Sequence, residues 1–266
     1  MCLIAFAWKA HDAFPLVVAA NRDEWRERPT ARLHWWDAES ATSDQEDGGM
    51  RRRRFAVAPH DQAHHAILAG RDLKDGGTWM GVTHGGRFAA VTNFRDPKSV
   101  MQGAPSRGKL ITDFLLGDLA ASDHAERLLR EAARYNGFNL LLGDAGSLCY
   151  VSNRAPAVRI LEPGIYGLSN GLLDEAWPKV AHAKARLAAA LPALPDEAAL
   201  WHLLGDDAAA PDDALPDTGV GLEWERILSP ALIRTERYGT RSSAVLLVRN
   251  TPAGNEIDFG EMVIGR

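Results

Sequence analysis

Met1-Cys2-Leu3-Ile4-Ala5-Phe6-Ala7-Trp8, then a polar link from Lys9, then Phe14-Pro15-Leu16-Val17-Val18-Ala19-Ala20-Asn21: the fold turns on this stretch. Two apolar runs joined by a short polar segment read as a buried antiparallel hairpin. Cys2 stands at the head of the first strand, and the hairpin returns Asn21, Arg22 and Asp23 to its side. Removal of Met1 would leave Cys2 with a thiol and a free α-amine on one residue. An α-amine titrates at about 7.7–8.0, so part of it is unprotonated near neutrality and can take a proton from the adjacent thiol. A cysteine before an apolar strand is otherwise an ordinary small buried residue. Whether it carries chemistry therefore depends on the rest of the chain.

Outward from the hairpin, residues 40–65 are polar and glycine-containing and read as an insertion, with arginines 51–54 as a solvated loop. Residues 78–83 and 87–93 read as two strands around His84-Gly85-Gly86. Ser106 reads as an N-cap before a helical stripe of Leu110, Ile111, Phe114 and Leu115. Residues 123–135 repeat the helical pattern, 138–142 and 148–152 form a second hairpin, and 165–169 form a short strand. Helices are expected over 177–191 and 196–204, and a last hairpin over 240–249 and 256–264. Hairpins dominate and no βαβ alternation is present, which predicts an α+β fold of antiparallel sheets with helices on their outer faces.

The chain has 266 residues, 46% hydrophobic and 24% charged, an ordinary globular composition that predicts one domain over 1–266. A net charge of −5 excludes a general nucleic-acid binder, which needs a basic face. Cys2 and Cys149 are the two cysteines, too few for a disulfide framework or a cysteine-rich metal site. A reducing, cytoplasmic setting is expected. The start lacks a basic leader region, and no apolar run approaches the roughly 18 residues that cross a bilayer, so neither a signal peptide nor stable membrane insertion is expected.

Several segments together resemble one family. Ala20-Asn21-Arg22-Asp23-Glu24 contains the Asn-Arg-Asp-Glu tetrapeptide that names the NRDE family, also called the Transport and Golgi organisation family. Further matching segments are Gly70-Arg71-Asp72, Gly76-Gly77-Thr78-Trp79, Thr92-Asn93-Phe94-Arg95, Asn136-Gly137-Phe138-Asn139, Ser169-Asn170-Gly171, Trp177-Pro178-Lys179-Val180 and Tyr238-Gly239-Thr240-Arg241-Ser242. Their ordered succession covers nearly the whole chain. The family is similar to N-terminal nucleophile hydrolases, which implies a four-layer αββα sandwich with the nucleophile at the start of a central strand. Bile-salt and penicillin V acylases are the nearest mechanistic likeness.

By that resemblance Cys2 matches the nucleophile, Asp23 the acid that orients the α-amine, Asn170 the oxyanion-hole asparagine, and Arg241 a late arginine beside the thiolate. Asn93 is a second oxyanion candidate, and Asn21 and Arg22 are substrate or oxyanion candidates. Arg22 and Asp23 are adjacent, whereas the acylases separate their early Arg and Asp by two residues. Neighbours on a strand point to opposite faces, so both reach Cys2 only if the strand ends or bulges there. The expected reaction is hydrolysis of a linear non-peptide amide, with no cofactor and no metal. Asn170 in Ser-Asn-Gly also suits a turn, Arg241 also suits a clamp on loop carbonyls, Asp72 reads as a turn anchor, and Trp79 and Trp177 read as packing.

The rival expectation is a non-catalytic carrier on the same fold. The family is associated with haem mobilisation and with lipid or acyl-CoA homeostasis, so a lipid-like or haem ligand is the alternative partner. Haem would need an axial ligand or an apolar slot. His60, His64 and His65 fall in the insertion and are expected to be exposed.

Overall fold

The computed structural model describes residues 2–36, 45–47, 49–58 and 66–265. Strands β1 (Cys2–Trp8) and β2 (Leu16–Trp25) form the expected hairpin, with Cys2 opposite Arg22 and Trp8 opposite Leu16. They are interior strands of an antiparallel sheet, flanked by the edge strand β12 (Gly164–Leu168) and by β13 (Tyr238–Thr251). β14 (Gly254–Val263), β5 (Met50–Ala56) and β4 (Gln45–Asp47) complete it in that order. The second sheet runs β11 (Arg159–Ile160), β10 (Leu148–Ser152), β9 (Phe138–Gly143), β8 (Phe88–Asn93), β7 (Met80–Thr83), β6 (Ile67–Asp72), β3 (Thr30–Trp35). Every paired neighbour in both sheets is antiparallel.

Strand alternation builds the layers. Ile4, Phe6 and Trp8 of β1 pack with Leu16, Val18 and Ala20 of β2 and with Leu68, Val82 and Leu141 of the second sheet in one inter-sheet core. The intervening Leu3, Ala5, Ala7, Val17 and Ala19 face outward onto α3 (Pro178–Ala190) and α4 (Ala198–Leu204). On the far side Ile67, Ala89 and Leu140 meet α1 (Gly108–Leu115) and α2 (Ala121–Glu131). Strands covered on both faces read as unbroken apolar runs, which is why β1 is buried at every residue from Cys2 to Trp8. The result is the expected α+β, four-layer αββα sandwich.

The structure departs from the sequence reading in four places. The run of arginines 51–54 is strand, not solvated loop: Arg53 is 5% exposed, Arg52 pairs with Glu197, and Arg54 pairs with Asp258 of β14. Ion pairs to Glu197 at the start of α4 and to Asp258 on the adjacent strand let a basic run sit in a sheet, which its charge alone does not reveal. β2 continues through Arg22, Asp23 and Glu24 to Trp25, where apolar patterning had suggested an end at Asn21. Arg107, not Ser106, occupies the N-cap of α1, with no side-chain capping bond. A short helix α5 (Leu222–Ile227) was not foreseen. His60, His64 and His65 lie outside the described residues, as does Met1. Among the described residues no helix is long and apolar enough to cross a membrane.

Candidate functional site

The start of β1 opens on a cleft of about 230 Å³ between the two sheets. Cys2 and Arg22 line it from the first sheet, Trp79 and Asn93 from the second, and Ser106 and Arg107 from the N-terminus of α1. That helix end is seated by glycine contact: a Cβ on Gly77 would sit 2.5 Å from the carbonyl carbon of Gly108. Gly76, at φ +79, makes the preceding turn in the left-handed region. Asp72 anchors the same turn, accepting the Lys74 N–H at 3.0 Å and the Arg28 guanidinium at 2.5 Å.

Directly paired residues share a face of the sheet. Arg22 is therefore beside the Cys2 side chain, while Asp23 faces the helices of the adjoining layer. β2 neither ends nor bulges there; the irregularity is in β13, whose register skips Arg241 between Thr240, opposite Asp23, and Ser242, opposite Arg22. Cys2 is 6% exposed, and burial pushes its thiol above the ordinary cysteine range. The Asp23 carboxylate pushes in the same direction, while the Arg22 guanidinium and the Asp23 backbone N–H favour the thiolate. Arg22 is itself buried, with Glu24 at 3.8 Å as ion-pair partner, and its Nη1 makes no hydrogen bond.

Asp23 accepts a hydrogen bond from Thr240 Oγ1 at 2.7 Å. Burial raises its carboxyl above the usual range, and Lys179 is the strongest charge opposing that rise. Lys179 is buried too, and desolvation lowers its ammonium to about 8 against the pull of Asp23. Its Nζ donates to the Leu228 carbonyl at 2.8 Å. Behind it, Arg95 pairs with Glu225 at 2.6 Å and lies over the Trp177 ring.

Asn170 follows β12 and lies next to the start of β1, where Ser169 Oγ donates to the Cys2 carbonyl at 3.0 Å. Its Nδ2 donates to the Asn93 carbonyl at 2.8 Å, and its own carbonyl accepts the Arg95 N–H at 2.7 Å. These bonds, with Thr92 Oγ1 to the Ser169 carbonyl at 2.6 Å, clamp the two sheets together beside the cleft.

Two expected site residues are placed elsewhere. Arg241 donates through Nη1 to the carbonyls of Trp25, Arg26 and Arg28 at 2.9, 2.9 and 3.1 Å, so it is the loop clamp rather than a partner for the thiolate. Its position in the bulge turns it toward that loop. Asn21, opposite Leu3, faces the helices and spends its amide on Leu204 and Ala231 carbonyls. The structure brings Cys2, Arg22, Asp23, Asn93 and Asn170 to one end of the sandwich. Lys179, Arg95 and Arg107 were missed as site residues. One signal for Lys179 was present: with Ala183 and Leu187 it lies on the i, i+4, i+8 stripe that α3 buries. Among the described residues no group of three or more His, Cys, Asp or Glu could hold a metal.

The family model described as Transport and Golgi organisation 2 matches residues 1–51 and 46–264. The human Transport and Golgi organization protein 2 homolog is 32% identical over 93% of this chain and 88% of its own length. The Drosophila melanogaster protein of that name is 28% identical over the same shares. Among solved structures, a Caenorhabditis elegans N-acylethanolamine-hydrolyzing acid amidase ortholog superposes with a TM-score of 0.47 at 9% identity, covering 92% of each chain. A mutant conjugated bile acid hydrolase from Clostridium perfringens gives 0.40 at 13% identity, covering 97% of this chain and 91% of its own.

Proposed function

The chain belongs to the Transport and Golgi organisation 2 family, a membership that names no reaction, and we propose from the geometry of the site that it hydrolyses a linear amide through Cys2. The observation that carries this reading is the placement of Cys2: it heads a central strand, opens on a cleft, and has an arginine on its own face and a buried carboxylate on the next residue.

With Met1 removed, the Cys2 α-amine takes the thiol proton and the thiolate attacks the amide carbonyl. Arg22, whose Nη1 makes no hydrogen bond, takes the charge-stabilising role first expected of Arg241. One N–H of Asn170 is committed to Asn93; the other is the oxyanion donor in this reading, a contribution worth roughly 3–4 kcal/mol. The amine then protonates the leaving nitrogen as the C–N bond breaks. Water, deprotonated by the same amine, attacks the thioester and releases the acid. Asp23 holds the amine. No cofactor takes part.

The intact mass of the purified protein is the first test, followed by a panel of N-acyl amides with Cys2→Ser and Cys2→Ala alongside. Met1 should be absent, and both variants should lose turnover. Retained hydrolysis by Cys2→Ala, or quantitative retention of Met1, refutes the mechanism. A second reading is a carrier of an anionic, lipid-like or haem ligand. It is favoured by the burial that holds the Cys2 thiol protonated, and by an unengaged guanidinium nitrogen at the cleft. A ligand bound as tightly by Cys2→Ala as by wild type, and lost in Arg22→Met, would support it.

A further inference from the structure

The eight-residue helix α1 begins on the Cys2 cleft with its N-terminus unfilled. Its N-cap residue, Arg107, makes no side-chain capping bond. Among the described residues the backbone N–H groups of Arg107 and Gly108 have no hydrogen-bond acceptor, and the Ser106 hydroxyl has no partner. The first N–H groups of a helix carry partial positive charge and suit an anion. This end is also held in place. A Cβ on Gly108 would stand 3.1 Å from the Thr78 carbonyl oxygen, and Arg107 Nη1 donates to the Gly137 carbonyl at 3.0 Å. A second, independent feature belongs to the same cleft. Arg22 is 7% exposed, lines the cleft with Ser106, Arg107 and Gly108, and makes no hydrogen bond through Nη1. A buried guanidinium nitrogen without an acceptor is costly unless a ligand supplies one.

The protein's own carboxylates do not fill this place. Asp72 and Asp75 are both taken by Arg28 Nη2, at 2.5 and 2.6 Å, and Asp23 accepts from Thr240 on the face toward the helices. Glu24 stands 3.8 Å from Arg22 and 4.0 Å from Arg28, beyond hydrogen-bond reach of either. We propose that the N-terminus of α1, with Arg22 and Arg107, is a carboxylate subsite beside Cys2, and that the amide hydrolysed there is a compact one carrying a carboxylate within a few bonds of its scissile carbonyl. This rests on the hydrolase reading of Cys2. A carboxylate supplies two acceptor oxygens, which backbone N–H groups and a guanidinium can share. The cleft, at about 230 Å³ and walled mostly by polar side chains, suits a compact polar group and not a long apolar chain. Cys2 and Arg22 are directly paired across β1 and β2, so an anion held at Arg22 lies next to the thiol. Binding energy from the carboxylate then orients the amide for attack.

The test is the rate of Cys2 alkylation by iodoacetate and by iodoacetamide, measured across pH and read from the mass of the N-terminal peptide of the full-length, Met1-free protein. The two reagents differ in carrying a carboxylate or a neutral amide. With both, the thiolate displaces iodide to form a thioether, so access and thiolate fraction cancel in the ratio of the two rates. Cysteinamide, which carries the same thiol and amine, is the reference. The ratio at Cys2 should exceed that of cysteinamide by about tenfold, and Arg107→Met and Ser106→Ala should lower it. Ser106→Ala leaves the Gly137 bond intact and serves where Arg107→Met does not fold. A wild-type ratio equal to that of cysteinamide overturns the subsite, as does a Cys2 that neither reagent reaches, or a ratio unmoved in every variant that melts cooperatively. N-butyrylglycine against N-butyrylglycinamide, and N-methylsuccinamate against N-methylbutyramide, then place the carboxylate on the amine or the acyl side; kcat/KM should favour the charged member of one pair. Alkylation needs no turnover. A raised ratio with both pairs inert therefore sinks hydrolysis alone, and a flat ratio with neutral amides hydrolysed as fast as charged ones sinks the subsite alone.

Discussion

Replacing Asn21 separates structure from chemistry at this site. Its side chain is 0% exposed and makes three bonds: Nδ2 to Leu204 O at 2.9 Å, Nδ2 to Ala231 O at 2.8 Å, and Oδ1 from Ser243 Oγ at 2.7 Å. These bonds tie the C-terminal carbonyl of α4 and the loop before β13 onto β2. Asn21→Ala orphans two carbonyls and a hydroxyl. A buried group left without its partner costs about 1–3 kcal/mol; the Ser243 hydroxyl can rotate to another acceptor, and the Ala231 bond is only partly buried. The sum is about 3 kcal/mol. At about 2–4 °C per kcal/mol, the melting temperature should fall by about 6–12 °C. Urea unfolding followed by tryptophan fluorescence measures the first quantity and calorimetry the second. A Ser243→Ala cycle isolates the Oδ1 bond. The Cys2 alkylation profile should stay at the wild-type position, because Asn21 faces the helices. A loss under 1 kcal/mol, or an altered Cys2 profile with stability intact, would refute this and return Asn21 to the chemistry.

Arg241→Met should destabilise by about 2–3 kcal/mol through the three carbonyls it clamps, with Cys2 reactivity unchanged in the same alkylation assay. Arg22→Met should do the reverse: a melting temperature at or above wild type, since Nη1 makes no hydrogen bond, and alkylation at neutral pH slowed about tenfold by loss of the adjacent cation. His124 is buried against Phe114, and burial, reinforced by Arg127 and Arg87, lowers it to about 4 from 6.5. The unfolded chain binds this proton first. Its contribution to stability is complete above pH 6.5, falls as pH drops toward 4, and is flat below. Denaturant midpoints across that window should fall less steeply in His124→Phe than in wild type.

The first 23 residues determined much of this protein by themselves. Their two apolar runs specify a hairpin that returns residues 21–23 to Cys2, while the choice of Arg22 rather than Asp23 as the residue on its face came from the paired register. Helical periodicity likewise placed α1 to α4, because an amphipathic stripe repeats whatever it packs against. The order of hairpins and helices specified antiparallel sheets with outer helices. Partners far apart in sequence were not legible. Arg241 carried no local mark of the bulge that turns it onto the carbonyls of residues 25, 26 and 28, and the basic run 51–54 needed Glu197 and Asp258 to be a strand. Lys179 stood in the segment Trp177-Pro178-Lys179-Val180 with no role assigned to it. Its burial and its bond to the Leu228 carbonyl, 49 positions later, come from the packing of α3 against distant parts of the chain. Periodicity is a property of neighbours along the chain and survives in the sequence; an electrostatic environment is a property of neighbours in space, and only the packed sandwich creates it.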